Sequence, residues 1–294
     1  MRPKRRHRRS KTRSRRRTNR KEEEIALRRE MKDMSDEAKS FWAHLEELKG
    51  HILRIVAVVV VFTAVAFGFK EWLFEVILAP ANGNLATYKL IERLQLTPIT
   101  EQGGGFVQLI NTGLAAQFVT HLRVALYVGF LVALPYVIYS IFSFISPALY
   151  DHERRHTRHY IVGGYVMFLL GCALNYFVIF PFTFHFLANY QVSAAVPNMI
   201  SLESYISTLL GMTLVMGALF EIPVVCALLA RLGVLHHNQM VAIRRYAIVV
   251  ALIIAAFITP TGDPFTLMLV GVPIWMLYEL GACVVRATER AQNK

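Results

Sequence analysis

The stretch that decides the fold is Leu209–Leu229, LLGMTLVMGALFEIPVVCALL. Its 21 residues are enough to cross a bilayer as a helix, which takes about 20. Glu221 is the one charged residue in it. A carboxylate at mid-bilayer costs about 2.5–3.5 kcal/mol on insertion scales and usually faces a polar cavity or a partner. We favour a functional acid over the structural alternative, a protonated Glu221 hydrogen-bonded to a neighbouring helix.

The whole chain has the composition of a helical membrane protein. Hydrophobic residues make up 55% of the 294, and the mean hydropathy is +0.41, whereas soluble domains are about 45–50% apolar. Spanning β-strands alternate in polarity over about ten residues, which the long apolar blocks do not. The sequence therefore predicts an all-α, polytopic membrane domain over residues 36–290. Its six spans are predicted at about 52–69, 119–142, 160–182, 207–230, 244–260 and 265–285.

The basic residues of the short loops predict the orientation. Arginines occur in the loops 143–159 and 231–243 and in the C-terminal tail, whereas 183–206 and 261–264 contain no Lys or Arg. Cytoplasmic loops carry the excess of Lys and Arg. Both termini are therefore predicted to be cytoplasmic, an N-in/C-in arrangement.

The one long outer segment, residues 70–118, is predicted to form a small extracytoplasmic helical cap, with amphipathic stretches at 70–78 and 106–122. Prolines fall inside three spans, at Pro135, Pro223 and Pro273. Each removes a backbone donor and bends its helix. Several bent helices side by side predict a concave bundle.

The positive charge of the chain belongs to its beginning. Residues 1–32 hold 16 of the 32 Lys and Arg. Residues 1–35 contain few large apolar side chains and are predicted to be a disordered cytoplasmic tail. Attraction to anionic lipids, at about 1 kcal/mol per basic residue near the surface, is its favoured role, and contact with nucleic acid is the less favoured alternative. The first apolar run starts near Ile52, too late for a cleavable signal peptide.

No motif points to catalysis. The chain lacks a nucleotide-binding glycine loop, H-E-x-x-H and G-x-S-x-G. His152, His156 and His159 have a spacing that suits a metal, but the three arginines among them would repel a cation, so a basic helix start is the better interpretation. The cysteines show no C-x-x-C and are predicted to be buried thiols: Cys172, Cys226 and Cys283. We expect no enzyme, no metal and no cofactor.

Two acids near the predicted inner surface have a possible joint role. Glu47 lies in HLEELK and Glu153 in PALYDHERR. Alone, each is a solvated charge, and Glu153 can form a local ion pair with the arginines that follow it. Together, two carboxylates at one membrane face can bind a cationic ligand, and arginine suits bidentate contacts.

Six sequence blocks carry a resemblance to a known family. They are, in order, HLEELKGHILR, FISPALYDHERR, NYFVIFPFTFHFL, GALFEIPVV, ITPTGDPF and VPIWMLYELG. Together they resemble TatC, the core subunit of the twin-arginine protein translocase, over about residues 40–285. The resemblance implies a multi-pass receptor of the bacterial inner membrane that binds paired-arginine signal peptides of folded cargo at the cytoplasmic face. It also implies an oligomeric complex with single-span TatA- and TatB-type subunits, driven by the proton-motive force.

The resemblance assigns roles to particular residues. Glu47 and Glu153 would contact the arginines of the signal, and Phe144 and Pro147 would shape that surface. Glu221 would be the intramembrane acid, facing the concave side and available to a partner. Three positions match the family on the outer side: Pro80, Arg123 and Asp263.

The chain departs from the family pattern at three places. Lys49 and His51 stand where arginines are usual. Lysine keeps the charge but loses the planar fork, so Lys49 joins the signal-binding set without a bidentate role. The loop between the fifth and sixth spans reads TPTGD where TPPD is typical.

Two other functions compete with the translocase. A proton-coupled small-solute transporter would use Glu221 as its relay, but such proteins often show internal repeats, and residues 50–160 and 160–285 show no convincing one. An inert scaffold would leave Glu221 without a purpose.

Overall fold

The computed structural model confirms an all-helical protein with six candidate membrane spans. They are Leu45–Phe67, Ala116–Ile141, Ile161–Asn189, Leu202–Arg231, His237–Ile258 and Pro264–Gln292. The structure describes residues 42, 45–82, 87, 109–145, 157–190, 193, 198–260 and 263–292. Within these ranges the β-structure amounts to an isolated parallel bridge between Ile110 and Ser201. The predicted orientation of the termini stays a prediction.

The chain divides into two compact units, Met1–Arg54 and Ile55–Lys294. In the first unit, residues 45–54 are helical, and the predicted tail 1–35 lies outside the described residues. The second unit contains residues 55–67 of the first span and the other five spans. The predicted boundary at residue 36 stays a prediction.

The fifth span is longer than the sequence predicted. It begins at His237 instead of residue 244, because a capping box fixes its start. The His236 N–H donates to Gln239 Oε1 over 3.0 Å, and the His236 side chain accepts from the backbone of Gln239. At 1.5 Å per residue, its 22 residues extend about 33 Å, which is long enough to cross the hydrocarbon core.

Other span ends also have local causes. Ser201 caps the fourth span by accepting from the Ser204 N–H over 3.2 Å. Asp263 caps the sixth, because its Oδ1 accepts from the Phe265 and Thr266 N–H groups over 3.0 and 2.9 Å. Gly233 has φ +69°, the left-handed conformation that commonly ends a helix and favours glycine.

The three prolines do not act alike. Helices Ala116–Ile145 and Pro264–Gln292 continue through Pro135 and Pro273. Pro223 instead follows a break in the fourth span, between helices Leu202–Phe220 and Ile222–Arg231. The third span consists of helices Thr157–Leu174 and Phe180–Asn189 joined by a π-helical turn, Asn175–Ile179. The predicted concave bundle stays a prediction.

One helix of the outer segment is described, Lys70–Leu78, and it buries Leu73 and Ile77. The last carbonyls of a helix have no partner within the helix. Here the Tyr176 hydroxyl donates to Val76 O over 2.5 Å, and the Tyr205 hydroxyl donates to Ile77 O over 2.9 Å. Most of the remaining predicted cap lies outside the described residues, so the cap stays a prediction.

The third and fourth spans approach closely because glycines line their contact, which we call the seam. A Cβ on Gly171 would lie 2.6 Å from Met216 O, and one on Gly217 would lie 2.7 Å from the Phe168 ring. Small residues let membrane helices pack with backbones in near contact. The seam is therefore closed to larger side chains at these two positions.

We expect Gly171→Ala to destabilise the protein by about 1–3 kcal/mol, the usual cost of overpacking, because its methyl group would meet a backbone carbonyl. Thermal unfolding in detergent, followed by tryptophan fluorescence, measures this. Gly163→Ala is the matched control, because a Cβ at Gly163 meets nothing within 4 Å. Equal melting temperatures for the two variants would contradict the close seam.

Candidate functional site

Glu221 occupies the break in the fourth span. Its N–H donates to Ala218 O over 3.2 Å, and its carbonyl accepts from the Val225 N–H over 2.9 Å. Pro223 lies in the first turn of the following helix, where the missing N–H of proline is tolerated. The proline two residues after the acid thus accounts for the interruption at Glu221.

The Glu221 side chain packs against the third span of its own chain. A Cβ on Gly164 would lie 3.0 Å from Glu221 Oε2 and 3.4 Å from Oε1, so a glycine leaves the room that the carboxylate fills. Oε1 is buried, and no described group hydrogen-bonds to it. A buried acceptor without a donor costs about 1–3 kcal/mol. Glu221 Oε1 is therefore an acceptor without a described donor, and it is closed to solvent in this packing.

A polar cluster lies further along the same seam. Asn175, which is fully buried, donates from Nδ2 to Thr213 Oγ1 over 2.8 Å. The Cys172 thiol donates to Thr213 O over 3.8 Å and lies 3.9 Å from the Tyr127 hydroxyl. Through these contacts the cluster joins the second, third and fourth spans.

The sequence analysis missed this cluster. Asn175 is an amide within an apolar run, and that is the signal that could have found it. Of the three cysteines predicted to be buried, Cys172 is buried, Cys226 is half-buried and Cys283 is exposed. That prediction was therefore wrong for Cys283.

The cluster and Glu221 do not form one polar chain. Along the seam, Thr213 and Glu221 are eight residues apart, about 12 Å of helix. Between them, the ring of Phe168 lies against Gly217. Apolar contact separates the two polar groups, so the described side chains provide no continuous relay from Glu221 through the cluster.

The three predicted outer-side residues have structural contacts. Arg123 pairs with Glu203 at 3.6 Å, and both side chains are about half exposed. Exposed pairs contribute little, typically under 1 kcal/mol. Pro80 is buried just after helix Lys70–Leu78. Asp263 is the cap of the sixth span, and the Thr266 hydroxyl also donates to its carboxylate.

The described residues include only part of the predicted signal-binding set. Glu47 and Lys49 are exposed on the first-unit helix, and Phe144 is half-buried near the end of helix Ala116–Ile145. Pro147 and Glu153 lie outside the described residues, as do His152 and His156. The pairing of Glu47 with Glu153 stays a prediction. Among the residues that are described, no group of three metal-ligating side chains occurs.

Polar contacts that the sequence analysis did not predict join the last two spans. Arg244 Nε pairs with Glu279 Oε1. The His237 N–H donates to Glu289 Oε1 over 3.0 Å. Glu289 therefore satisfies a backbone donor in the first turn of the fifth span, where such donors have no partner within the helix. These contacts fix the start of the fifth span to the sixth.

The family follows from comparison with known proteins. The family model described as Sec-independent protein translocase protein (TatC) matches residues 43–273. This chain belongs to the TatC family. It is similar to the TatC protein of Deinococcus radiodurans, with 34% identity over 243 residues, 83% of this chain and 84% of that protein. The TatC protein of Aquifex aeolicus is 30% identical over 85% of this chain and 96% of its own length.

A solved structure shows the same family fold. The crystal structure of a twin arginine translocase receptor, TatC, superposes with a TM-score of 0.66 at 28% identity, covering 84% of this chain and 99% of that one. The resemblance seen in the sequence blocks is confirmed. The chain is a TatC-type protein of the Sec-independent translocase and a multi-pass protein of the bacterial inner membrane.

Gly164→Ala tests whether the position of the Glu221 carboxylate matters. The added methyl group would lie 3.0 Å from Oε2 and would displace the side chain, so we expect protein transport by the translocase to fall several-fold. Gly163→Ala is again the control, since its Cβ faces open space. Transport that is equal in both variants would show that the contact with the third span has no functional part.

Proposed function

We propose that this TatC family member is the receptor for paired-arginine signal peptides and moves folded proteins across the membrane. The observation that carries the proposal is the family match over residues 43–273, a range that includes Glu47, Glu153 and Glu221. In this proposal the protein performs no covalent chemistry. It recognises the signal peptide, assembles with its partner subunits and moves the folded protein across the membrane, and the proton-motive force supplies the energy.

The signal is bound at the cytoplasmic face by Glu47 and Glu153, with Lys49, Phe144 and Pro147 around them. Exposure of Glu47 on its helix supports this role, because a binding carboxylate must be reachable from solvent. Arginine guanidinium groups and carboxylates form bidentate, charge-assisted pairs. Two carboxylates therefore suit a signal with two adjacent arginines.

Single-span TatA- and TatB-type subunits assemble with the chain in an oligomeric complex. A groove of about 560 Å³ between the fourth and fifth spans supports this part of the proposal. Ser207 and Gly211 lie in its wall, and small residues let a further helix approach closely. Only 17% of the most apolar stretch of the fifth span is buried within the chain, which leaves surface for such a helix. Glu221 accepts a hydrogen bond from the assembled complex.

The basic tail has a separate role. Residues 1–35 lie outside the family match, which begins at residue 43, and they carry much of the positive charge. Attraction to anionic lipid head groups follows from that charge.

Export in a bacterial strain that lacks its own TatC tests the function. We expect this chain to restore export of a folded twin-arginine substrate, measured by its appearance in the periplasm. Glu221→Gln should retain more export than Glu221→Ala, because the amide keeps the volume and a carbonyl acceptor. Solute uptake without restored export would favour the proton-coupled transporter, and equal loss in both variants would indicate a charged role for Glu221.

Signal recognition is tested by photocrosslinking a twin-arginine peptide to the cytoplasmic face. We expect Glu47→Ala to reduce crosslinking about tenfold or more, because a charge-assisted hydrogen bond is worth about 1.5–3 kcal/mol. Glu46→Ala is the control, since Glu46 is the adjacent exposed acid on the same helix. If both variants crosslink like the parent protein, Glu47 does not bind the signal.

A further inference from the structure

A basic groove lies between the fifth and sixth spans. Its volume is about 460 Å³, and it is open to the surroundings on one side. Six residues line it: Val241, Ala242, Arg244, Arg245, Ile248 and Trp275. Two guanidinium groups therefore share a small, otherwise apolar groove with the ring of a tryptophan.

The groove lies near one end of the fifth span, the end predicted to be cytoplasmic. Arg244 and Arg245 are seven and eight residues beyond His237, about 10–12 Å along the helix. Their long side chains can reach the head-group level from this depth. Tyr246 and Tyr278 lie close by, because Tyr246 follows Arg245 directly and the Tyr278 hydroxyl donates to Met240 O. Tyrosine and tryptophan are typical of the membrane–water interface.

The charges of the groove do not cancel. Arg244 is paired with Glu279. Arg245 lies over the ring of Tyr246 at 4.8 Å, and in the described part of the chain no carboxylate forms an ion pair with it. One carboxylate thus faces two guanidinium groups. The groove keeps a net positive charge that an anion would neutralise.

A second observation also calls for an acceptor. The indole Nε1 of Trp275 is buried, and no described group accepts its hydrogen. Tryptophan N–H groups usually find a hydrogen-bond partner when buried, and a donor without one carries a free-energy cost. A phosphate oxygen in the groove would provide an acceptor for Arg245, and for Trp275 after a side-chain shift that uncovers its buried Nε1.

The surface beside the groove fits hydrocarbon chains. Val241, Arg245, Val249 and Ile253 follow one another at intervals of four residues, which places them along one face of the helix. The three aliphatic members are each about half exposed. Val249 and Ile253 thus form an apolar stripe that leads away from the Arg245 guanidinium along the span, whereas Val241 lies one turn on the other side of Arg245. Free phosphate would use the basic groove but leave this stripe uncovered.

We propose that this groove is a binding site for an anionic phospholipid, with Arg245 and Trp275 on the phosphate and the stripe of Val249 and Ile253 along an acyl chain. Basic pockets between spans at the cytoplasmic side are known to suit such head groups. A zwitterionic lipid fits less well, because its ammonium group would lie near Arg244 and Arg245. This site is separate from the lipid contact of the tail and independent of signal binding.

Native mass spectrometry of the purified full-length protein tests the proposal, with phosphatidylglycerol titrated against phosphatidylcholine. We expect one phosphatidylglycerol to be retained at a saturable site, and Arg245→Gln to weaken it about tenfold. Trp275→Phe, which keeps the ring and removes the N–H, should weaken it by a smaller factor. Arg286→Gln is the charge-matched control, because Arg286 is exposed on the same sixth span but does not line the groove.

Three results would overturn the site. Equal weakening by Arg245→Gln and Arg286→Gln would mean diffuse attraction to the whole basic surface. If inorganic phosphate at millimolar concentration competes for the site as effectively as the lipid, the groove is a site for anions and not for a lipid. If Arg245→Gln retains phosphatidylglycerol at the affinity of the parent protein, the groove does not bind the lipid, and its aromatic and basic residues are those that any span carries at the membrane–water interface.

Discussion

A bilayer offers no hydrogen bonds, so every polar group inside it must be satisfied within the protein or left at a cost. The seam between the third and fourth spans is where this constraint has most effect. Glycines at 164, 171 and 217 bring two helices together closely enough for polar side chains to meet across them. At one end, Asn175 finds Thr213. At the other, Glu221 lies against Gly164. Asn175 Oδ1 and Glu221 Oε1 are both buried without a described donor.

These two ends have different physical consequences. The buried Asn175 amide donates a hydrogen bond to Thr213 across the two helices. This bond fixes their register, because a shift of one helix along the other would leave the amide without its acceptor. Interhelical hydrogen bonds in membranes average only about 0.6 kcal/mol, so the specific geometry matters more than the added stability. The carboxylate has no such partner within the described chain. Its packing holds it in place, and one of its oxygens is buried without a described donor.

The ends of the spans are held by ordinary capping and pairing. At one end of the spans, Tyr176 and Tyr205 donate to the last carbonyls of a short helix, and Asp263 caps the sixth span. At the opposite end, Glu279 and Glu289 of the sixth span bind the fifth. A translocase component needs such fixed ends, because binding surfaces keep their geometry only when the helices that carry them cannot rotate freely.

The amino-acid sequence by itself determined the helical class, the number of spans and the family. Within the hydrocarbon of a bilayer, span length and the need to satisfy backbone hydrogen bonds leave few alternatives to a helix. Sequence blocks that occur in a fixed order, such as HLEELKGHILR and ITPTGDPF, are specific to the family. It also singled out Glu221, because one charge in an apolar run stands out. The start of the fifth span was misplaced, since the capping box at His236 lies among polar residues without an apolar signal. Only the tertiary structure decided that Glu221 faces Gly164, that Asn175 meets Thr213 and that Arg244 pairs with Glu279. These pairings depend on which helix faces which and at what height, and hydropathy carries no such information once every span is apolar.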